Sequence, residues 1–422
     1  MKTRPRRLLV AGLAGATALG VALAAAPLAT AADASRNHGA AQRSVIFVNG
    51  DGMSAAHREA ARLALKGRFG QLEMNKLPAT GLEATTPDDP STVITDSAAA
   101  ATAWATGRKT YNGAISVDPS GKALSYLGRE AKKAGKATGL VTTAQVTDAS
   151  PAAFFSSTAQ RSQQSEIARQ YLEVSKPDVI LGGGEDWWYP AGNPGKFADN
   201  PPKDPAEQSK SDKGDLVAKA KSKGYQYVSS ASGLQKANGK KLLGLFSNEE
   251  MFEQRPEGEG DIYAPDPTLE TMTSKALTTL SKSKKGFFLF VEEEGVDEFS
   301  HDNNGEKMLK AMAALDRTVG MLRKYVAKHP NTLLVVTGDH DCGGLTVEDT
   351  ATTDESGDGI SAEDGPFTVA GSKYTFDLDW TTSGHTGVPT PVTAVGPGSS
   401  DLTGVYQNTH VHSVLQRVLL GK

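Results

Sequence analysis

Residues 44–52 are Ser-Val-Ile-Phe-Val-Asn-Gly-Asp-Gly, in which the nearly continuous apolar run 44–48 is followed by glycine and polar residues. A parallel strand covered by helices on both faces has this composition. Similar short runs occur further along the chain, with helical patterns between them. The runs are 137–141, 178–181, 286–291, 332–336 and 392–395, and the helix candidates are 54–66, 97–106, 122–134, 162–173, 214–223, 268–282, 305–327 and 408–419. This alternation predicts an α/β fold with a doubly wound, mostly parallel central sheet and helices on both faces.

Side chains able to bind metals follow the ends of these predicted strands. They are Asp51, Asp148, Ser150, Glu292, Asp297, His301, Asp339 and His340, and a further candidate, His385, lies in the loop before the last predicted strand. Open α/β sheets bind ligands at the carboxyl ends of their strands, so we expect these side chains to converge. Carboxylates with imidazoles suit zinc, and an all-oxygen subset suits magnesium. Taken singly, each has an ordinary alternative: Asp51 as a turn former, and Asp297 with His301 as plain neighbours on a helix.

Ser97 begins an alanine-rich stretch that ends at Gly107. The composition predicts a helix with Ser97 at its N-terminus, where free amides and the helix dipole attract a phosphoryl group and favour an alkoxide. Ser97 is therefore a candidate nucleophile. The stretch alone favours the simpler interpretation that Asp96 or Ser97 only caps the helix.

From about Ser44 to the C-terminus the chain resembles the bacterial alkaline phosphatases related to the periplasmic enzyme of enteric bacteria. The resemblance rests on short motifs, of which the serine block is the longest. They are Gly50-Asp51-Gly52-Met53, residues 95–107, 109–114 and 181–184, Gly286-Phe287-Phe288-Leu289 with Val291-Glu292, Asp339-His340 and His385-Thr386-Gly387. The family implies an alkaline-phosphatase-like fold and a metal-dependent phosphomonoesterase that acts on small phosphate monoesters and releases inorganic phosphate through a phosphoserine.

The resemblance also implies a role for each candidate residue and a content of two Zn²⁺ and one Mg²⁺ per chain. Ser97 would be phosphorylated, and Arg161 would clasp the phosphate, although a surface arginine at a helix start is a competing interpretation. One zinc would be held by Asp297, His301 and His385, the second by Asp51, Asp339 and His340, and magnesium by Asp51, Asp148, Ser150 and Glu292.

Three features depart from the enteric pattern. Glu298 stands where that pattern has a lysine near the phosphate, and Cys342 stands where a histidine is common. We expect Cys342 to be a buried structural thiol rather than a zinc ligand. The N-terminal arm and the disulfides of the enteric relative are missing, which leaves monomer and homodimer both open.

The first 31 residues have the character of a secretory signal peptide, with a basic start, an apolar stretch and Ala29-Thr30-Ala31 as the cleavage site. The Arg6-Arg7 pair fits either general or twin-arginine export. Removing this segment takes away four of the 45 basic residues and no acidic one, leaving 41 against 49 acidic residues. This balance argues against nucleic-acid binding, and no later apolar run approaches the ~20 residues that span a bilayer. We therefore expect a secreted, extracellular enzyme without a membrane anchor after cleavage.

The remaining residues, 32–422, are predicted to be a single catalytic domain with surface insertions near 185–213 and 345–380. Residues 190–213 and the acidic stretch 348–364 are expected to be solvated loops. Two alternative functions stay open. One is a dedicated biosynthetic phosphatase that unmasks a phosphorylated antibiotic, and the other is a non-catalytic secreted protein that binds metal or phosphate.

Overall fold

A ten-stranded sheet forms the centre of the computed structural model, which describes residues 42–199, 207–252, 262–350 and 362–422. The strands of the described residues are β1 (Ser44–Gly50), β2 (Ala79–Ala84), β3 (Ala137–Gln145), β4 (Val179–Gly183), β5 (Gln226–Val228), β6 (Leu242–Leu245), β7 (Phe287–Glu293), β8 (Thr332–Thr337), β9 (Asp341–Cys342), β10 (Leu345–Glu348), β11 (Ala362–Thr368), β12 (Thr375–Trp380), β13 (His385–Thr386), β14 (Thr390–Val395) and β15 (Gly404–Gln407). The central sheet has the order β15-β2-β14-β8-β1-β7-β3-β4-β6-β5. All six predicted strands belong to it.

The sheet is parallel from β8 to β5, and β14 runs antiparallel to both of its neighbours. Strand β1 lies in the middle, where Val45 pairs with Phe288 of β7 and with Leu333 of β8. Its side chains alternate between two hydrophobic cores, one on each face of the sheet. Val45 and Phe47 lie in one core, and Ile46 and Val48 lie in the other. Burial on both faces is the reason that the strand is apolar at consecutive positions.

Helices cover both faces of the sheet, as predicted. Among the described residues they are α1 (Ala55–Lys66), α2 (Ser97–Thr106), α3 (Leu127–Lys133), α4 (Ala149–Phe155), α5 (Gln164–Gln170), α6 (Leu216–Ser222), α7 (Ala231–Lys236), α8 (Leu269–Leu280), α9 (Gly295–His301), α10 (Gly305–Lys328) and α11 (Thr409–Leu420). Helices α2 to α6 and α11 pack in the core that contains Phe47, whereas α1 and α7 to α10 pack in the core that contains Ile46. The chain therefore has the predicted doubly wound α/β architecture.

One predicted helix is shorter than expected, because its first residues are extended. The prediction covered 122–134, but α3 begins only at Leu127. Ala123 forms a bridge with Val117, and the amide of Leu124 donates to the carbonyl of Ser116 at 2.8 Å. Pairing with the preceding segment thus overrides local helix propensity.

The second predicted insertion contains a small sheet. Strands β10, β12 and β11 form an antiparallel sheet in that order, and Glu348 pairs with Asp377. The prediction of a solvated loop over 348–364 is therefore wrong at both ends, because Glu348 and residues 362–364 belong to strands whose partner, β12, lies further along the chain. Residues 351–361 lie outside the described part. In the first insertion, residues 190–199 and 207–213 form neither helix nor strand. Across the described ranges, every helix is too short or too polar to cross a bilayer.

Candidate active site

Three adjacent strands of the central sheet bring the first candidate residues together at their carboxyl ends. Asp51 follows β1, Glu292 lies near the end of β7, and Asp339 follows β8, and all three are fully buried. The turn after β1 requires glycine. Gly52 has a φ of 67°, and a Cβ atom there would lie 2.5 Å from Asp297 Oδ1. The glycine therefore lets α9 approach the edge of the sheet closely.

Helix α2 presents Ser97 to this edge. Asp96 caps the helix, since its carboxylate accepts the amide of Ala99 at 2.9 Å and that of Gly113 at 2.8 Å. Ser97 is thus not the cap, and its hydroxyl lies 3.2 Å from His340 Nε2. The side chain is almost completely buried at the positive end of the helix dipole. The sequence left open whether Ser97 is a nucleophile or a helix cap, and the structure shows that Asp96 is the cap.

Asp51, Asp339 and His340 form a possible metal site, and the last of them lies beside the Ser97 hydroxyl. His340 Nε2 lies 3.1 Å from Asp339 Oδ2 and 3.4 Å from Asp51 Oδ1. Neither carboxylate oxygen accepts a hydrogen bond within the described chain, although both are buried. Burial is the largest cause that raises the pKa of Asp51, and repulsion by Asp339 adds to it. A cation at this point would relieve both penalties.

Asp297, His301 and His385 form a second group beside the first. His301 Nε2 lies 3.1 Å from Asp297 Oδ2 and 3.2 Å from His385 Nε2. The Nδ1 atoms of the two histidines contact backbone carbonyls, His301 that of Ser383 at 2.6 Å and His385 that of Thr95 at 3.0 Å. Because a carbonyl can only accept, each Nδ1 carries a proton.

That tautomer directs the Nε2 lone pairs of both histidines toward each other and toward a carboxylate, which is the donor set of a zinc site. Without a metal ion, a proton on His301 supplies part of the positive charge, because the hydrogen bond to Asp297 raises the pKa of His301 to about 9. Burial alone would raise the pKa of Asp297, but the hydrogen bond from His301 and the charge of His340 hold it well below its usual range. A positive charge is thus strongly favoured at this point.

Cys342 lies next to this second group. Strands β9 and β13 pair Cys342 with His385, and its ligand atom and those of Asp297, His301 and His385 lie within 4.8 Å of one another. The residue is fully buried, as predicted, and burial raises the pKa of the thiol. Its role as a structural thiol rather than a zinc ligand stays a prediction.

Asp51, Ser150 and Glu292, three of the four residues predicted to bind magnesium, lie together. The amide of Asn49 lies between them and donates to Ser150 Oγ at 3.4 Å and to Glu292 Oε1 at 3.2 Å. The Ser150 hydroxyl lies 3.5 Å from Asp51 Oδ2. Burial raises the pKa of Glu292 to about 8. These buried oxygens suit a hard divalent cation.

Asp148, the fourth predicted magnesium ligand, faces Arg161 instead. Arg161 Nη2 donates to both oxygens of Asp148, at 3.0 and 2.9 Å. Arg161 Nη1 lies 3.5 Å from Asp96 Oδ2, next to the nucleophile candidate. This partly buried, doubly paired guanidinium differs from the surface arginine that the sequence also allowed. Asp148 belongs to none of the clusters of metal-binding side chains found among the described residues, so its role as a ligand stays a prediction.

Sequence reasoning missed Asn49 and Glu294 as site residues. The signal for Glu294 was present in the run Glu292-Glu293-Glu294 at the end of a buried strand, because side chains two apart point to the same side. Glu294 forms close groups with Asp51 and Glu292, and with Asp297 and Glu298.

The alkaline phosphatase family model matches residues 42–376. The chain belongs to the alkaline phosphatase family. It is 30% identical to alkaline phosphatase 4 of Bacillus subtilis, covering 92% of this chain and 91% of that protein. It is 32% identical to streptomycin-6-phosphate phosphatase of Streptomyces griseus, covering 94% of each. Among solved structures, a mutant alkaline phosphatase from the Antarctic bacterium TAB5, with Mg bound in the M3 site, matches with a TM-score of 0.71 at 27% identity, covering 90% of this chain and 98% of that one.

Membership in this family makes the chain an enzyme, a phosphoric monoester hydrolase. The expected resemblance, fold and enzyme class are confirmed, and the alternative of a non-catalytic binding protein is wrong.

Proposed function

We propose that the chain is a secreted, zinc- and magnesium-dependent phosphomonoesterase that forms a phosphoserine on Ser97. The observation that carries this proposal is the position of the Ser97 hydroxyl, 3.2 Å from His340 Nε2 at the buried N-terminus of α2. The nucleophile candidate thus adjoins a group of buried ligand atoms from the segments that directly follow β1 and β8, where a positive charge is favoured. A serine that only capped the helix would not require buried metal-binding side chains next to its hydroxyl.

The ligand groups support a content of two zinc ions and one magnesium ion. Asp297, His301 and His385 would hold one zinc, Asp51, Asp339 and His340 the other, and Asp51, Ser150 and Glu292 the magnesium. The fit rests on the orphaned buried oxygens of Asp51, Asp297 and Asp339 and on the two facing Nε2 atoms. Metal ions bound there would supply Lewis acidity, stabilise developing negative charge and lower the pKa of bound water.

The reaction would proceed by two displacements at phosphorus. Ser97 Oγ loses its proton to solvent and forms a bond to phosphorus, while the bond to the ester oxygen breaks and the departing alkoxide takes a proton from solvent to leave as the alcohol. Water then attacks the phosphoserine and frees both inorganic phosphate and Ser97. The amides at the start of α2 favour the anionic oxygen of Ser97.

Arg161 would bind the nonbridging oxygens of the phosphoryl group through its planar guanidinium. Its hydrogen bonds to Asp148 and its proximity to Asp96 limit where the guanidinium can lie. The two acids would thereby orient Arg161 toward Ser97, because the latter directly follows Asp96.

Rapid-quench labelling tests the proposal. The wild-type protein, loaded with zinc and magnesium, should incorporate label from a radiolabelled phosphate monoester, and Ser97→Ala should not. Ser91→Ala, which alters an exposed serine of the preceding loop, should label like the wild type. Chelation should abolish hydrolysis of p-nitrophenyl phosphate, and added zinc should restore it. Undiminished labelling of Ser97→Ala would exclude Ser97 as the nucleophile.

Secretion is proposed from residues 1–31, which lie outside the described residues. Mass spectrometry of protein from the culture medium should give a mature N-terminus near residue 32, and retention of the intact chain in the cytoplasm would contradict this. Monomer and homodimer both stay predictions, which light scattering of the purified protein would decide.

A dedicated biosynthetic phosphatase is the second candidate function. It is favoured by the 32% identity to streptomycin-6-phosphate phosphatase, which covers 94% of both chains. Comparison of kcat/KM for streptomycin 6-phosphate and p-nitrophenyl phosphate distinguishes the candidates. A preference of ~100-fold or more for the antibiotic ester, about 2.7 kcal/mol of transition-state discrimination, would favour the dedicated enzyme.

A further inference from the structure

Glu294 is a buried acid that the proposed mechanism does not use. It directly follows β7, and its residue is only 5% exposed. It is the residue before the first turn of α9, and its carboxylate lies close to that of Glu292. Glu293 points elsewhere, where it accepts hydrogen bonds from Tyr263 at 2.6 Å and from Thr143 at 3.0 Å. The adjacent residues Glu293 and Glu294 thus differ, since the carboxylate of the first accepts hydrogen bonds and Oε2 of the second accepts none among the described residues.

The side chain of Glu294 is directed into the acidic cluster. Asp51, Glu292 and Glu294 each offer one oxygen, and these atoms lie within 4.8 Å of one another. Glu294 Oε2 is buried and accepts no hydrogen bond from the described parts of the chain. A buried carboxylate oxygen without a partner is costly, and two further acids beside it increase the cost. A cation bonded to all three acids would remove this penalty.

Arg161 attracts Glu294, but no ion pair joins these two residues in the described part of the chain. Arg161 is paired with Asp148 and lies near Asp96. The neighbours that donate hydrogen bonds inside the cluster are neutral, namely Asn49 with its amide and Ser150 with its hydroxyl. Neutral donors cannot balance three carboxylates.

We propose that Glu294 is a ligand of the third cation site, together with Asp51 and Glu292, and that Asp148 instead positions Arg161. The inference deepens the proposed function, on which it rests. The ligand would be a divalent cation that prefers oxygen, Mg²⁺ or Ca²⁺. A third carboxylate raises the charge of the site, so the cation should be held more tightly than by two acids and a hydroxyl.

Calorimetric titration of the zinc-loaded protein with Mg²⁺, and separately with Ca²⁺, tests this assignment. Glu294→Gln should weaken the better-bound cation ~10-fold or more, because one charged ligand becomes a neutral amide. Elemental analysis should still find two zinc ions. Glu293→Gln is the matched control and should bind the cation as the wild type does. Asp148→Asn should change the inhibition constant of phosphate, through Arg161, while cation affinity stays within ~3-fold of the wild type.

Folding is not an obstacle to the test, because removing a charge from the acidic cluster should raise the melting temperature of the metal-free protein. If Glu294→Gln nevertheless failed to fold, Glu294→Asp would keep the charge and shorten the reach, and weaker cation binding is again expected. The assignment is overturned if Glu294→Gln or Glu294→Asp binds the third cation like the wild type, or if Asp148→Asn loses it. Failure of the proposed function would appear separately, as a zinc-loaded wild type that binds the cation but releases no phosphate.

Discussion

Glu83 is a buried carboxylate that joins the nucleophile helix to the strand before the metal ligands. Its Oε2 accepts from Trp104 Nε1 on α2 at 2.9 Å, and its Oε1 accepts from Thr337 Oγ1 on β8 at 2.6 Å. Thr337 lies two residues before Asp339. Burial raises the pKa of Glu83 to about 7, although both hydrogen bonds lower it. Ionisation of Glu83 is therefore less favourable in the folded protein than in the unfolded chain.

The effect on stability follows from the difference in pKa between the two states. The pKa is about 7 when folded and 4.5 in the reference state, so the folded protein holds an extra proton between these values. Ionisation of Glu83 should lower the free energy of unfolding by about 3 kcal/mol in total as pH rises from about 4.5 to 7. Well above pH 7 this contribution should stay constant. Glu83→Gln cannot ionise, so it should escape this loss. Its amide can still accept from Trp104 and donate to Thr337, whose hydroxyl can turn.

Urea unfolding of the metal-free protein at pH 4.5 and pH 8 measures this effect. At each pH, the unfolding free energy of the wild type is subtracted from that of Glu83→Gln. This difference should be about 3 kcal/mol larger at pH 8 than at pH 4.5, because all other groups titrate equally in both proteins. Glu59→Gln is the control. Glu59 is partly exposed, and its hydrogen bond to Arg62 lowers its pKa, so the corresponding difference should be small and of opposite sign. If the Glu83→Gln difference were the same at both pH values, folding would not raise the pKa of Glu83, and the reasoning would be wrong.

Three further predictions concern the site and its core. Glu298→Lys should tighten inhibition by phosphate, because it replaces an acid beside Asp297 with a cation; an unchanged inhibition constant would contradict this. Zinc binding to the metal-free protein should release a proton at pH 8, since the pKa of His301 is about 9, and its apparent affinity should fall up to ~10-fold per pH unit below that value. Calorimetry in two buffers of different ionisation enthalpy would detect this proton, and its absence would refute the assignment of the pKa. Phe47→Ala should cost ~3–5 kcal/mol of unfolding free energy, because Phe47 is fully buried with its ring centre 5.0 Å from that of Trp104. Phe69→Ala, at an 89% exposed position, should cost under ~0.5 kcal/mol in the same urea titration.

The secondary structure near the site was largely predictable. A nearly continuous apolar run such as 44–48 indicates a strand that is buried on both faces, and an alanine-rich stretch that ends in glycine indicates a helix. Short elements with mixed composition were not predictable in this way. Strand β2 alternates between buried and exposed residues and has glycine in its middle, and α7 contains Gly233. Their structure depends on neighbours that lie elsewhere in the chain.

The sequence by itself determined which strands are buried, where the main helices lie, which family the chain resembles and which residue types could bind metal. These properties follow from local periodicity and from short motifs. Only the tertiary structure decided that Asp96 caps α2 and leaves Ser97 facing His340, that Asp148 pairs with Arg161, and that Glu294 joins Asp51 and Glu292. In each case, several possible partners lie near one another in space but far apart in the chain. Distance and burial determine which partner is bound, and the sequence contains neither quantity.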